Sequence, residues 1–141
     1  MKNQKGFSLV EILIVVTILG ILMAIAVPGL RRAKQNAQMG SAVQSMRIFT
    51  TAQALYYKKY NIYGTISDLA TEQILDQVLG SGDKQQYTFL ITVGATGKTF
   101  TGTGTPQQDI ARMDFFFVDE SSVIRFLKGA PADVTSPPIP R

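Results

Sequence analysis

From Ile12 to Leu30 the chain runs for nineteen residues without a charge, and that stretch constrains everything around it. A helix advances about 1.5 Å per residue, so about 20 apolar residues are what the hydrocarbon core of a bilayer requires. The run follows a short basic leader, Met1-Lys2-Asn3-Gln4-Lys5-Gly6, and the segment Phe7-Ser8-Leu9-Val10-Glu11. Glu11 does not suit an ordinary span. An acidic side chain in hydrocarbon costs about 2.5–3.5 kcal/mol, and it persists where a partner or a function retains it.

A cut after Gly6 supplies such a partner. The new amino terminus is then the ammonium of Phe7, four residues from Glu11 and on the same helical face. The pair forms either within one chain or between the amine of one copy and Glu11 of the next, and the low dielectric strengthens the attraction in both cases. In the second arrangement Glu11 sets register between copies. Two other readings of the segment stay open. One is a secretory signal peptide, with Lys2 and Lys5 as its basic start and Ala24-Ile25-Ala26 as a small-residue cleavage site. The other is an uncut amino-terminal anchor. Glu11, near the head of the apolar run, argues against the signal peptide. Lys2 and Lys5 favour a cytoplasmic amino terminus, whereas Arg31, Arg32 and Lys34 at the far end pull the other way.

These first thirty positions closely resemble the type IV pilins and the related pseudopilins: Gly6 before Phe7, the Phe7-Ser8-Leu9-Val10-Glu11 start, Gly20, and Pro28 closing the apolar run. The resemblance implies that a membrane prepilin peptidase cuts after Gly6 and methylates the Phe7 amine, and that Phe7 and Glu11 serve assembly. It implies self-association into a helical filament whose core is the packed apolar helices. Membrane lipid is the partner before assembly, and an assembly platform in the membrane acts during it. The precursor is expected in the inner membrane with its amino terminus in the cytoplasm, and the filament at the cell surface. The helix is expected to break or loosen between Gly20 and Pro28 in the filament. Glycine is a weak helix former, and Pro28 lacks the N–H that would bond back to Ala24. Among filament types a pilus is favoured over a secretion pseudopilus, because the chain has no Trp and none of the Asp-Pro-Trp-Gly-type calcium loop of the major pseudopilins. A reading from another class is a monomeric membrane-anchored binding module whose sheet recruits a ligand.

The rest of the chain is bounded by length and composition. Of 141 residues about thirty are used by the span, leaving one small domain with a modest core. Net charge is +4, and loss of the leader with Lys2 and Lys5 leaves twelve basic against ten acidic residues, so the charge says little about partners. No cysteine is present, so the fold rests on packing. This departs from the many pilins that staple their carboxy-terminal region with a disulfide.

Periodicity predicts the elements. Met39, Val43, Met46, Phe49, Ala52, Tyr56 and Tyr60 recur at steps of three or four and lay one stripe along a helix, so a helix from Phe7 to Tyr60, about 80 Å if unbroken, is expected. Asn61–Thr65 breaks it. Ser67-Asp68 offers a cap for a short helical region through Leu79, with Leu69, Ile74, Leu75 and Val78 on its buried side. Tyr87, Phe89, Ile91 and Val93 alternate with polar or outward residues as a half-buried strand does. After a turn at Ala95–Gly97, the Thr/Gly-rich Lys98–Thr105 is read as a strand, and Met113–Val118 and Val123–Leu127 as a hairpin pair across Asp119–Ser122. The expected fold class is α+β, a pilin-like long amino-terminal helix packed on a small antiparallel sheet of about four strands. The expected divisions are leader 1–6, filament-core helix 7–30, amphipathic half-helix 31–60 and head 61–141. The tail from Gly129, with four prolines in thirteen residues, is expected to be extended or mobile.

No catalytic constellation is legible. Histidine and cysteine are both absent, which removes the usual nucleophile–base pairs and every imidazole or thiolate metal site, and no cofactor is expected. Gly94-Ala95-Thr96-Gly97-Lys98-Thr99 mimics a phosphate cradle, but two residues separate its glycines where four are needed, and no helix follows. Asp109, Asp114, Asp119 and Glu120 lack a calcium-loop spacing. Arg31, Arg32, Lys34, Lys58 and Lys59 can in principle meet nucleic acid, an interaction that nothing else in the sequence supports, and a solvated or headgroup-facing role is favoured. Phe49, Tyr56, Tyr57, Tyr60 and Tyr63 are read as packing rather than as an electron path.

Overall fold

The computed structural model describes residues 6–140; Lys2, Lys5 and the rest of the leader before Gly6, with Arg141, lie outside the described residues. The chain divides into two compact units, one ending at Asn36 and one beginning at Ala37. Helix α1, Leu9–Tyr60, contributes to both and runs unbroken through Gly20 and with Pro28 in its interior. It starts two residues later than expected and ends where expected. In the first unit every large apolar side chain from Leu9 to Leu30 is exposed.

The second unit is built on a five-stranded antiparallel sheet in sequential order: β1 (Asp83–Lys84), β2 (Tyr87–Val93), β3 (Phe100–Pro106), β4 (Asp114–Asp119) and β5 (Arg125–Lys128). The expected four strands are present, and the two-residue β1 adds an edge strand too short for a periodicity argument to detect. Ala42, Met46, Phe49 and Ala52 of α1 form one core with Tyr87, Phe89 and Ile91 of β2, Phe100 of β3, and Phe116 and Val118 of β4. The rings of Phe49 and Phe89 lie 5.4 Å apart and tilted, the geometry that aromatic quadrupoles prefer. The alternation of β2 is as expected, Tyr87, Phe89 and Ile91 inward and Thr88, Leu90 and Thr92 outward.

The Thr/Gly alternation of β3 has a packing reason. Its inward positions are Phe100, Gly102, Gly104 and Pro106. A Cβ on Gly102 would lie 2.9 Å from Val118 Cγ1, and one on Gly104 would lie 3.1 Å from the Phe89 ring. At its two central inward positions the strand omits a side chain so that neighbouring ones can fill the space.

Several local expectations are corrected. Between Asn61 and Asp83 there are two short helices, α2 (Ile66–Thr71) and α3 (Gln77–Gly80), rather than one region. Thr65 is the N-cap of α2, and Asp68 is its capping-box partner rather than the cap; Asp76 caps α3. Thr65-Ile66-Ser67-Asp68 carries the capping-box spacing, so the signal lies two residues before Ser67. Leu69 and Leu75 are buried as expected, but Leu79 takes the place assigned to Val78, which is exposed. Tyr60, expected on the buried stripe, is exposed and donates to Glu72 Oε1 at 2.6 Å. Tyr87, by contrast, is fully buried and donates to the Asp114 carbonyl at 2.8 Å. The tail is extended but held: Phe126 N donates to the Pro137 carbonyl at 3.0 Å, Ile139 N to that of Ile124 at 3.0 Å, and Arg125 pairs with Pro138 as an isolated bridge.

Gln53 is a core residue that the apolar stripe does not predict. It sits on the apolar stripe between Phe49 and Tyr56, fully buried, with Nε2 donating to the Gly64 carbonyl at 2.5 Å and Oε1 accepting from Gly64 N at 3.0 Å. One amide thus satisfies both backbone polar groups of Gly64, in the loop after α1. Gln53→Leu leaves both Gly64 groups unpaired, at about 1–3 kcal/mol per group. The expected loss of about 2 kcal/mol or more is read from denaturant unfolding of the detergent-solubilised chain, and a change below about 0.5 kcal/mol would contradict the role.

Candidate processing and assembly site

The residues singled out for processing and assembly gather at the start of α1. Gly6, Phe7 and Ser8 precede the helix in non-helical backbone. A Cβ on Gly6 would meet nothing within 4 Å, so the glycine fills no packing role in the fold; it leaves an unhindered, exposed peptide bond between Gly6 and Phe7. Phe7 is 78% exposed. Ile12 N donates to the Ser8 carbonyl at 3.3 Å, opening the first turn, and Glu11 is that turn's acid. A carboxylate there faces the positive end of the helix dipole, worth about 0.3–1 kcal/mol. In the uncut chain the Phe7 nitrogen is an amide, so the ammonium that would partner Glu11 arises only on cleavage.

Beyond Glu11 the helix surface is apolar on all sides. Thr17 carries the one hydroxyl between Ile12 and Leu30, and it donates to the Leu13 carbonyl at 2.7 Å, so this side chain brings no unsatisfied donor into an apolar medium. The helix is long and apolar enough to cross a membrane. A helix that is hydrophobic all round is one that is enclosed by lipid or by other protein.

The other candidate groups fall elsewhere and do not converge on this site. Arg31, Arg32, Lys34 and Lys58 are exposed; Lys59 is spent on an ion pair with Glu72. The Gly94–Thr99 segment is the turn joining β2 to β3: Gly94 N donates to the Thr99 carbonyl at 2.9 Å, Gly97 adopts φ +67°, and Lys98 Nζ donates to the Asn61 carbonyl at 2.5 Å. The expected aromatic group packs pairwise, Tyr57 on Tyr63 at 4.7 Å and Tyr63 on Phe100 at 4.7 Å, joining the end of α1 to β3. Among the described residues no three His, Cys, Asp or Glu side chains come together as a metal site.

Asp114, one of the acids without a calcium-loop spacing, is half-buried opposite Lys128 on β5. Burial pushes its carboxyl above the ordinary aspartate range, and the attraction of Lys128 offsets this only in part. A raised folded-state value means that the native state binds the proton more tightly than the unfolded chain. Asp114 therefore weakens the fold as pH rises through and above the aspartate range, and not below it. Asp114→Asn is expected to raise the thermal midpoint at pH 7, with the gain vanishing below about pH 3.9. A pH series of melts on both proteins checks this; an increment that grows on acidification would refute it.

The amino-terminal region matches the family model described as the prokaryotic N-terminal methylation motif over residues 1–27. The chain is similar to type II secretion system core protein G of Aeromonas hydrophila, 36% identical over 78 residues, which cover 55% of this chain and 51% of that protein. It is similar to type IV major pilin protein PilA of Myxococcus xanthus, 35% identical over 70 residues, or 50% of this chain and 30% of that one. It thus spans about half the length of the first and under a third of the second. With fimbrial protein Q of Moraxella bovis it shares 32% identity over 107 residues, 74% of this chain and 68% of that protein. No solved structure matches the chain significantly. With a methylation-motif start, an apolar amino-terminal helix, an antiparallel sheet and relatives of this extent, the chain belongs to the type IV pilin and pseudopilin family, whose members are structural subunits rather than enzymes.

Proposed function

We propose that this chain is the structural subunit of a type IV pilus filament, made as an inner-membrane precursor with a cytoplasmic amino terminus, cut after Gly6, methylated on the Phe7 amine and polymerised. The observation that carries the reading is the exposed apolar surface from Leu9 to Leu30, headed by a lone carboxylate. Such a surface is stable in lipid and in a bundle of like helices, and exchange between the two gains little hydrophobic energy, because acyl chains are as apolar as leucine. Polar contacts must then select the bundle, and the Phe7 ammonium of one copy with Glu11 of the next is the pair available. A contact between unlike patches that does not close on itself grows an open fibre. On assembly α1 loosens between Gly20 and Pro28, where the missing Pro28 N–H already leaves the Ala24 carbonyl without its helical donor.

The similarity to an Aeromonas secretion-system protein favours a second reading, a pseudopilin of a type II secretion system. Long fibres released by shearing cells select the pilus; short periplasmic assemblies with a protein-export defect on deletion select the pseudopilus. A monomeric membrane-anchored binding module would instead retain Met1 and give no high-mass material.

The processing and the register role are tested together. Mass spectrometry of the mature protein is expected to find a methylated Phe7 terminus; a Val27 terminus would mean signal-peptide processing. Glu11→Ala is expected to leave a cut, folded, membrane-held subunit whose yield in sheared filaments falls at least about tenfold, the loss of about 1.4 kcal/mol per contact or more. Assembly of that variant at the parental level would refute the register role.

A further inference from the structure

Building on the filament reading, we propose that the ridge of α1 around Arg47 is a docking surface for the acid-rich body of a second copy of the chain. Charge is segregated along the sequence. Between Ile12 and Tyr60 there are six basic residues and no acid, whereas residues 61–141 carry nine acids against six basic residues, a net −3. The body therefore holds more carboxylates than its own cations can pair, and the cations of α1 have no acid on their own helix beyond Glu11 in its first turn.

Arg47 is where that excess meets a shaped surface. It is exposed and lies between two grooves of the second unit, one lined by Ile48, Ala52, Leu55 and Ile74, the other by Thr50, Val123, Ile124 and Ile139. Leu55 is 54% exposed and Val123 36% exposed, so both grooves present apolar surface to solvent. The flanking hydroxyls are spent locally: Thr50 Oγ1 and Thr51 Oγ1 donate to the Arg47 carbonyl at 2.8 and 3.0 Å. The guanidinium is left as the one charge on the ridge, and among the described residues it has no carboxylate within ion-pair distance. On the complementary side Glu120, in the β4–β5 turn, is exposed with no hydrogen bond or ion pair among the described residues.

Apolar grooves flanking an arginine are the composition of a protein interface, where a guanidinium fork meets carboxylates and apolar knobs fill the sides. A phosphate polymer or an anionic membrane would call for cations in series. Arg47 stands thirteen residues from Lys34 and eleven from Lys58, so it offers no such series. Opposite net charges on α1 and on the body allow one copy's ridge to meet another copy's body, a heterologous contact of the kind that propagates.

The chain has no cysteine, so a single Gln44→Cys, at an exposed position lining one groove, can carry a benzophenone on sheared filaments. Photolysis is expected to give a dimer whose cross-link maps within residues 61–140 of the second copy. Attachment to lipid, to nucleic acid, to another protein or only within one copy would overturn the docking. In parallel, Arg47→Glu is expected to lower the filament-to-membrane ratio about tenfold, and Arg47→Lys less than about threefold, with subunit levels unchanged. If the parent assembles and Arg47→Glu assembles equally well, the docking is wrong and the filament reading stands. If the parent yields no fibre and keeps Met1, the filament reading fails and the docking with it.

Discussion

The exclusion of one helical surface from water governs this molecule. From Leu9 to Leu30 every large apolar side chain is exposed, and apolar area left in water costs roughly 25 cal/mol per Å². Fifteen large apolar side chains on one bare helix are therefore not a state that persists in aqueous solution. Lipid or like helices must cover them. Because these two coverings are nearly equal in hydrophobic terms, the few polar groups on the helix acquire weight out of proportion to their number. Glu11 is the only charge on α1 before Arg31, and its place in the first turn sets it beside the terminus that cleavage after Gly6 would create.

The second unit solves a different problem with the same helix. Here α1 is half-covered, and its buried side is filled by an antiparallel sheet that lacks disulfides. Close packing replaces the covalent constraint. Glycines on the inner face of β3 admit Val118, Phe89 and Phe116, and aromatic rings at tilted contact fill the space between α1 and β2. The buried polar side chains Ser45, Gln53 and Tyr87 each find backbone partners, so the core carries them without the penalty of an unmet hydrogen bond.

Legibility followed the range of the interaction. The helix, the alternation of β2 and the β4–β5 hairpin were readable because periodicity and turn residues are local and recur over many positions. The two-residue β1 and the division of the 66–80 region into α2 and α3 were not, because so few residues carry no period. Gln53 left a usable sign, a lone amide at helical spacing within an apolar stripe, but its partner Gly64 could not be named from spacing. Val78 and Leu79 are adjacent and equally apolar; which one is buried depends on where α3 starts, and Asp76 decides that.

Composition and order alone determined that the chain carries a membrane-length apolar helix headed by an acid, continued by an amphipathic half and followed by strands, because those properties are set by which residues recur at which period. Only the tertiary structure decided that the tail is tied to β5, that Lys59 is paired with Glu72 while Arg47 stands open, and that β3 is an inner strand whose two inward glycines make room for neighbouring side chains. Those outcomes depend on groups distant in sequence reaching the same place. No local pattern records such meetings, since their free energy arises only once the elements are packed.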